Sequence, residues 1–305
     1  MTDRQASRSR SRPRPPSQAG SHLPLLAALL LLVGVPPALP QSPAAQAPLA
    51  AGADSLWQRA VEIAGRNAWW IPGTMVSRFE ELDGDWEPKS VELTTTRIFL
   101  GPDGVPDTEI VSAYENEKDV TEKAREEAAE QKREEEEQRR KEAEQRRREQ
   151  EERGAAPADP PDARERFALR SGGSTPFDPQ IQDSVRVRRT SPEGGPQGGP
   201  FAAYQFQRDL GDERQLIGTA WLDPESGAPV EIRFAPDPLP GRVKELEMRM
   251  RFTVDSTGAW YPTDLRIQGM GKLLFFKKRF RSTMIFSDPW WYAPPDRATD
   301  PPDAP

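Results

Sequence analysis

The chain has 305 residues, of which 30% are charged, with a formal net charge of −7, no cysteine and one histidine. His22 precedes an apolar run, so the chain beyond that run cannot build Ser-His-Asp or Cys-His nucleophile sites, thiolate zinc sites or imidazole metal clusters. The acidic balance argues against nucleic acid as a partner. We therefore expect a binding protein without cofactor or metal rather than an enzyme.

The N-terminus predicts export. Five arginines precede a leucine-rich run from Leu23 to Leu39, which is the pattern of a signal peptide. Prolines bracket the run and leave it shorter than the roughly 18 to 20 residues of a spanning helix, so we expect cleavage rather than anchoring. Lipid attachment at a processed signal needs a cysteine. We predict residues 1–47 to be signal peptide and leader, and the mature protein to be periplasmic and not lipid-anchored.

Residues 54–115 are predicted to form the first part of a β domain. Asp54 or Ser55 can cap a helix with apolar residues at helical spacing, which ends near Asn67. The Pro72-Gly73 pair then predicts a turn. Three extended segments follow and indicate an antiparallel meander: Met75 to Leu82, Ser90 to Leu100 and Glu109 to Tyr114.

Residues 116–165 are predicted to be a charged helical insertion and its linker. Glu/Arg/Lys/Gln residues dominate up to Arg153, with acid-first pairs such as Glu135/Arg139 at i and i+4. No heptad seam is present, so we expect a solitary, solvent-exposed helix about 50 Å long rather than a two-stranded coiled coil. The segment is interpreted as an inserted spacer hairpin or a frayed charged loop, with a docking arm for another envelope protein as the alternative.

Residues 166–292 are predicted to form the second part of the β domain, before a disordered tail at 293–305. From Lys244 to Val254 apolar and charged residues alternate strictly, which is typical of a half-buried strand. Six further strands are predicted: Ser184 to Arg189, Phe201 to Arg208, Leu216 to Leu222, Val230 to Phe234, Ala259 to Met270 and Arg279 to Phe286. The fold class is mainly β: a curled antiparallel sheet, a half-barrel of about ten strands, with a covering N-terminal helix.

Methionine and aromatic residues on the predicted strands are the candidate binding site. Methionine is flexible and polarisable, so a face lined by Met and Phe can accommodate acyl chains of varied shape. The hydrophobic ligand-binding residues predicted here are Phe206, Trp221, Leu246, Met248, Met250, Phe252, Phe280, Met284 and Phe286. The alternative is an ordinary β core in which these side chains pack against one another.

This organisation resembles the Lol-type family of bacterial outer-membrane lipoprotein carriers and sensors. The resemblance rests on the helix from Ser55 to Asn67, the strand start from Gly73 to Phe79 and the Trp-containing strand from Gly218 to Asp223. It implies a half-barrel whose apolar concave side binds acyl chains under helical lids. The charged insertion is foreign to that pattern, and the arginine-containing strand of the carriers has no counterpart, so no lid-locking arginine is assigned.

Two other segments are candidates for contact with a membrane or a partner. The segment Trp290-Trp291-Tyr292 can cover an open end of the sheet or contact a membrane or partner. Basic residues around Leu273-Leu274-Phe275-Phe276 can meet anionic headgroups in a transient membrane contact, or protect a hairpin edge. Acidic residues in turns, Glu80-Glu81 with Asp83 and Asp85 or Asp103 with Asp107, can supply oxygen ligands or a glycosidase-style acid pair, but they are interpreted as solvated turn residues.

Three functions remain. The favoured one is a monomeric periplasmic carrier or chaperone for lipoprotein or lipid acyl chains. The second is an envelope protein-interaction or sensing module with a filled core, and the third is a carboxylate-dependent hydrolase.

Overall fold

A computed structural model of the chain describes residues 54–66, 70–101, 106–153, 175–190, 195–196, 199–211, 214–241, 243–255, 258, 260–273 and 276–291. The predicted signal peptide and leader 1–47, the linker after Arg153 and the predicted tail 293–305 lie outside the described residues. Those predictions therefore stay predictions.

The described part is mainly β. Its elements in chain order are α1 (Ser55–Arg66), β1 (Trp70–Leu82), β2 (Pro88–Leu100), β3 (Pro106–Glu115), β4 (Lys118–Asp119), α2 (Thr121–Arg153), a 3₁₀-helix (Pro179–Ser184), β5 (Val185–Thr190), β6 (Ala202–Gly211), β7 (Arg214–Leu222), β8 (Pro229–Asp237), β9 (Val243–Val254), β10 (Trp260–Leu273) and β11 (Phe276–Trp291). The alternation that predicted a strand from Lys244 to Val254 coincides with β9 within one residue.

All strands of the described residues belong to one antiparallel sheet of eleven strands, in the order β4-β3-β2-β1-β11-β10-β9-β8-β7-β6-β5. The sheet is not closed, and its two edges are β4 and β5. β1 pairs with β11, so the strands before and after α2 form one continuous sheet. The predicted mainly β class is confirmed. The strand missing from the count of about ten is β4, whose two residues, Lys118 and Asp119, carry no apolar signal.

The turn predicted at Pro72-Gly73 is wrong, because β1 runs unbroken from Trp70. Pro72 lies opposite Pro289 of β11, so this point of the ladder has no N–H to donate on either strand. Gly73 lies beside Asp288, whose φ is +53°. A Cβ at position 73 would come within 2.5 Å of the Asp288 carbonyl oxygen, so the close approach of the two backbones requires glycine here.

The helix α1 begins at a cap on Asp54, as the sequence predicts. The Leu56 amide donates to Asp54 Oδ1 at 3.3 Å, and Arg189 of β5 donates to Asp54 Oδ2 at 3.0 Å. The apolar stripe of α1, formed by Leu56, Trp57 and Ala60, is buried. Hence one ion pair and one apolar stripe hold the helix against the sheet.

Candidate binding face

Cross-strand register divides the sheet into two faces, because directly opposed residues of paired strands point to the same side. We call the side against which α1 packs the inner face. Two rows of inner-face residues cross the sheet. The first consists of Met284, Leu265, Met250, Ile232, Ala220 and Tyr204, and the second of Ser282, Ile267, Met248, Phe234, Gly218 and Phe206. Apart from Tyr204, Ser282 and Gly218, both rows are entirely aliphatic, thioether or phenyl side chains.

Eight of the nine candidate ligand-binding residues lie on this inner face. Their positions follow from register and from the period of two along each strand: Phe206, Leu246, Met248, Met250, Phe252, Phe280, Met284 and Phe286. Five of them are buried, namely Phe206, Met248, Met250, Phe252 and Met284. Leu246, Phe280 and Phe286 are partly exposed. The structure therefore brings these eight residues onto one continuous apolar surface.

Trp221 does not belong to that surface. Its register partners are Ala203 and Glu231, which place it on the outer face. The guanidinium of Arg233 lies over its ring, 5.0 Å from the centroid. Ala220, Trp221 and Leu222 are consecutive apolar residues, so the sequence alone gives no alternation from which to choose the face.

The end of the inner face near β6 is covered by aromatic side chains. Trp57 of α1 lies 4.8 Å from Phe177 and 5.6 Å from Tyr204, measured between ring centroids. Phe177 in turn meets Trp260 edge-on at 6.2 Å, and Trp260 meets Phe252 at 4.7 Å. Phe177 is fully buried. Helix α1 and the segment before the 3₁₀-helix thus close this end of the inner face.

Two titratable groups at this covered end, Asp54 and Tyr204, have shifted pKa values. Burial raises the pKa of Asp54, but the nearby Tyr204 hydroxyl, the Leu56 amide and the Arg189 guanidinium outweigh it, so the pKa lies below its ordinary value. Burial, followed by the proximity of Asp54, raises the pKa of Tyr204. Asp54 is therefore a carboxylate at neutral pH and Tyr204 a neutral phenol.

The opposite end of the inner face is more open. Phe280 and Phe79 stack with ring centroids 6.3 Å apart, and both are partly exposed. Leu246 lies in the same row, separated from Phe280 by Gly269. We call Leu246, Phe280 and Phe79 the open strip. A Cβ at Gly269 would lie 2.9 Å from the Phe280 ring and 3.1 Å from Leu246 Cδ1, so both side chains occupy space that a side chain at position 269 would take.

Phe79 is an inner-face aromatic residue outside the nine candidates, as are Tyr204 and Phe234. The alternation of Met75, Ser77 and Phe79 has the period of two that marks one face, so the signal was present in the sequence. Beside Phe79, Glu81 faces Phe280 and accepts a hydrogen bond from Lys278 Nζ at 3.0 Å. An ion pair therefore borders the open strip.

The β10–β11 hairpin holds the basic residues that the sequence analysis singled out. Lys272 lies opposite Lys277, and Leu273 opposite Phe276. Further along, Arg279 donates to the Asp83 carbonyl oxygen at 3.0 Å, and its guanidinium lies 5.1 Å from the centroid of the Trp86 ring. Trp290 and Trp291 continue β11 opposite Ile71 and Trp70. The aromatic pair is thus part of the central strand pairing.

The outer face carries buried acids. Glu80, Glu231 and Asp264 are 5%, 2% and 7% exposed, and each accepts a hydrogen bond from an arginine. Arg281 Nη1 lies 3.1 Å from Glu80 Oε2, and Arg233 Nε lies 2.6 Å from Glu231 Oε1. The interpretation of Glu80 as a solvated turn residue is wrong: it lies within β1, where Arg281 of the neighbouring strand reaches it.

A scan against protein-family models finds no match, and neither does a search of curated proteins. Among solved structures, a Vibrio parahaemolyticus domain provisionally named an outer membrane lipoprotein-sorting protein matches at 9% identity and a TM-score of 0.33, with 77% of this chain and 93% of that chain covered.

Two further matches are structures of MucB with MucA. MucB in complex with MucA(peri) matches at 8% identity and a TM-score of 0.19, with 80% of this chain and 100% of that chain covered. The Pseudomonas aeruginosa MucA/MucB complex matches at 7% identity and 0.18, with 78% and 98% covered. At these identities and TM-scores, the matches assign the chain to no family. Among the residues that the structure describes, neither α-helix is apolar enough over a sufficient length to cross a membrane.

Proposed function

We propose that the inner face binds acyl chains of lipids or lipid-modified proteins in the bacterial periplasm, and that the protein carries or chaperones them without catalysis. One observation carries this proposal: the continuous apolar rows of β6 to β11 are covered by α1 at one end and end in the partly exposed open strip at the other. An apolar surface with one uncovered end offers a chain-shaped ligand a path from solvent.

Burial of methylene groups supplies the affinity in this proposal. Each methylene taken out of water contributes about 0.8 kcal/mol, so ten methylenes contribute about 8 kcal/mol. The loss of translational and rotational freedom offsets at least about 4 kcal/mol of that gain. A single chain therefore binds weakly to moderately, which suits a carrier that must also release its cargo.

The test compares two aspartate substitutions on β11. Phe280→Asp puts a charge into the open strip on the inner face, whereas Ile285→Asp puts the same charge on the outer face, where Ile285 is 51% exposed. Titration with a fluorescent fatty acid analogue is the measurement. We expect Phe280→Asp to weaken binding at least tenfold and Ile285→Asp to leave it unchanged. Equal affinity of both folded variants contradicts the proposal.

Two parts of the proposal, the periplasmic location and the lack of a lipid anchor, are supported by the sequence. The basic leader and the leucine-rich run support export, and the chain has no cysteine to which a lipid could be attached. Mass determination of the protein recovered from the periplasm tests both statements, because a cleaved signal peptide removes a defined N-terminal mass.

A second candidate function rests on α2. Among the described side chains of α2, those that contact the sheet come from its first twelve residues: Ala124 is buried, Arg125 donates to the carbonyl oxygens of Ile110 and Val111, and Lys132 pairs with Asp107 at 2.9 Å. From Ala129 to Arg148, every side chain that the structure describes is exposed.

An exposed, charged helix supports a docking arm for an envelope protein. Photo-crosslinking from position 134 in living cells tests this, with position 188 on the edge strand β5 as the matched exposed control. A discrete protein adduct from position 134 alone supports the docking arm. Identical patterns from both positions contradict it.

A further inference from the structure

The outer face carries three arginines in direct cross-strand register. Arg233 of β8 lies opposite Arg249 of β9, which lies opposite Arg266 of β10. Neighbouring strands are about 4.8 Å apart, so the three side chains leave the sheet within about 10 Å. Like charges directly opposite one another destabilise a sheet. The row therefore needs neutralising partners.

Acidic residues pair with Arg233 and with arginines around the row. Within the described part of the chain, none of them pairs with Arg249 or Arg266. The buried carboxylates of this face pair with Arg233 or with arginines outside the row: Glu231 with Arg233, Asp264 with Arg251, and Glu80 with Arg78 and Arg281. Arg249 and Arg266 have no ion pair among the described residues. The Nε atom of each is buried without a hydrogen-bond partner in the same part of the chain.

The electrostatic surroundings of Arg266 agree with this arrangement. Burial, followed by repulsion from Arg249, Arg251 and Arg281, lowers the pKa of Arg266, and Asp264 only partly opposes the effect. A guanidinium stays protonated at neutral pH even so. The centre of the outer face thus holds partly buried guanidinium groups that form no ion pair within the described part of the chain.

The geometry points to an oxyanion-binding site formed by Arg249 and Arg266, which takes a phosphate-type group either as free phosphate or as a lipid headgroup. Guanidinium groups bind tetrahedral oxyanions through paired N–H donors, and two adjacent arginines can each supply such a pair. Thr283 lies opposite Arg266 on β11 and adds a hydroxyl at the edge of the site. The site lies on the face opposite the proposed acyl-chain surface, so it is independent of that function.

The first experiment measures the dissociation constant for inorganic phosphate by calorimetry at constant ionic strength. Arg249→Gln and Arg266→Gln are the test variants, and Arg188→Gln on the edge strand β5 is the control with the same change in charge. We expect the control to match the wild type and each test variant to bind about tenfold to a hundredfold more weakly. Indistinguishable constants for all four folded proteins overturn the site.

Replacing Arg249 or Arg266 removes like-charge repulsion, so we expect each variant to fold. Circular dichroism before titration tests this, and only folded variants enter the comparison. Arg249→Lys is a further variant, which keeps the positive charge but removes the paired N–H donors of the guanidinium. We expect its affinity for phosphate to fall between those of the wild type and Arg249→Gln.

The second experiment distinguishes the two sources of the oxyanion. Sedimentation with phosphatidylcholine vesicles, with and without phosphatidylglycerol, measures headgroup binding. Binding that requires phosphatidylglycerol and is lost in Arg249→Gln identifies a lipid headgroup. Phosphate binding without vesicle binding identifies a soluble phosphate group. Absence of both in the wild type overturns the proposal.

Discussion

Replacement of Trp57 is the sharpest test of how α1 is attached to the sheet. Trp57 is only 5% exposed, packs against Phe177 and Tyr204, and donates from Nε1 to Gln182 Oε1 at 3.2 Å. Truncation of a buried tryptophan to alanine costs about 3 to 5 kcal/mol. In a domain of this size, that lowers the melting temperature by about 6 to 20 °C.

Two comparison variants separate the contributions. Trp57→Phe keeps an aromatic ring near Phe177 but removes the donor to Gln182, so we expect a loss of about 1 to 2 kcal/mol. Gln58→Ala changes an exposed neighbour on the same helix and should alter the free energy of unfolding by less than about 0.5 kcal/mol. Urea denaturation followed by circular dichroism measures all three. If Trp57→Ala costs no more than Gln58→Ala, α1 does not cover the inner face as described.

Two further predictions concern charge and backbone packing. Because the folded-state pKa of Asp54 is lowered, its contribution to stability is present above the unfolded pKa of about 3.9 and is lost as pH falls. Denaturation at several pH values should therefore show Asp54→Asn most destabilising near neutrality, and a pH-independent difference would contradict this. Gly73→Ala should cost about 1 to 3 kcal/mol through its clash with Asp288, whereas Gly84→Ala, with only a side-chain atom at 3.8 Å, should be nearly neutral in thermal melts.

Alternation along single strands predicted much of the fold and of the candidate site. Met248, Met250 and Phe252 alternate with charged or polar residues, so their common face could be derived before the structure was known. The mainly β class followed from such segments and from the turns between them. Where a strand carries apolar residues on both sides, as around Trp221, only pairing with β6 and β8 decides the face.

Other features depend on pairings between strands that are distant in sequence. The Pro72-Gly73 pair predicts a turn because Pro-Gly pairs usually form one. Only the position of Gly73 beside Asp288 shows that the strand continues. The arginine row needs the register of three strands, since Arg233, Arg249 and Arg266 look like ordinary solvent-facing residues in each strand alone. Long-range register is the information that single-strand patterns lack.

Native mass spectrometry of the full-length chain, expressed in a Gram-negative bacterium and purified from the periplasm without detergent, tests the proposed acyl-chain binding most directly. Lipid extraction of the same sample identifies any bound molecule. The account predicts a bound species of acyl-lipid mass that Phe280→Asp loses and Ile285→Asp retains. A clean apo mass that does not change when lipid or lipopeptide is added would contradict it, and would favour the α2 docking function instead.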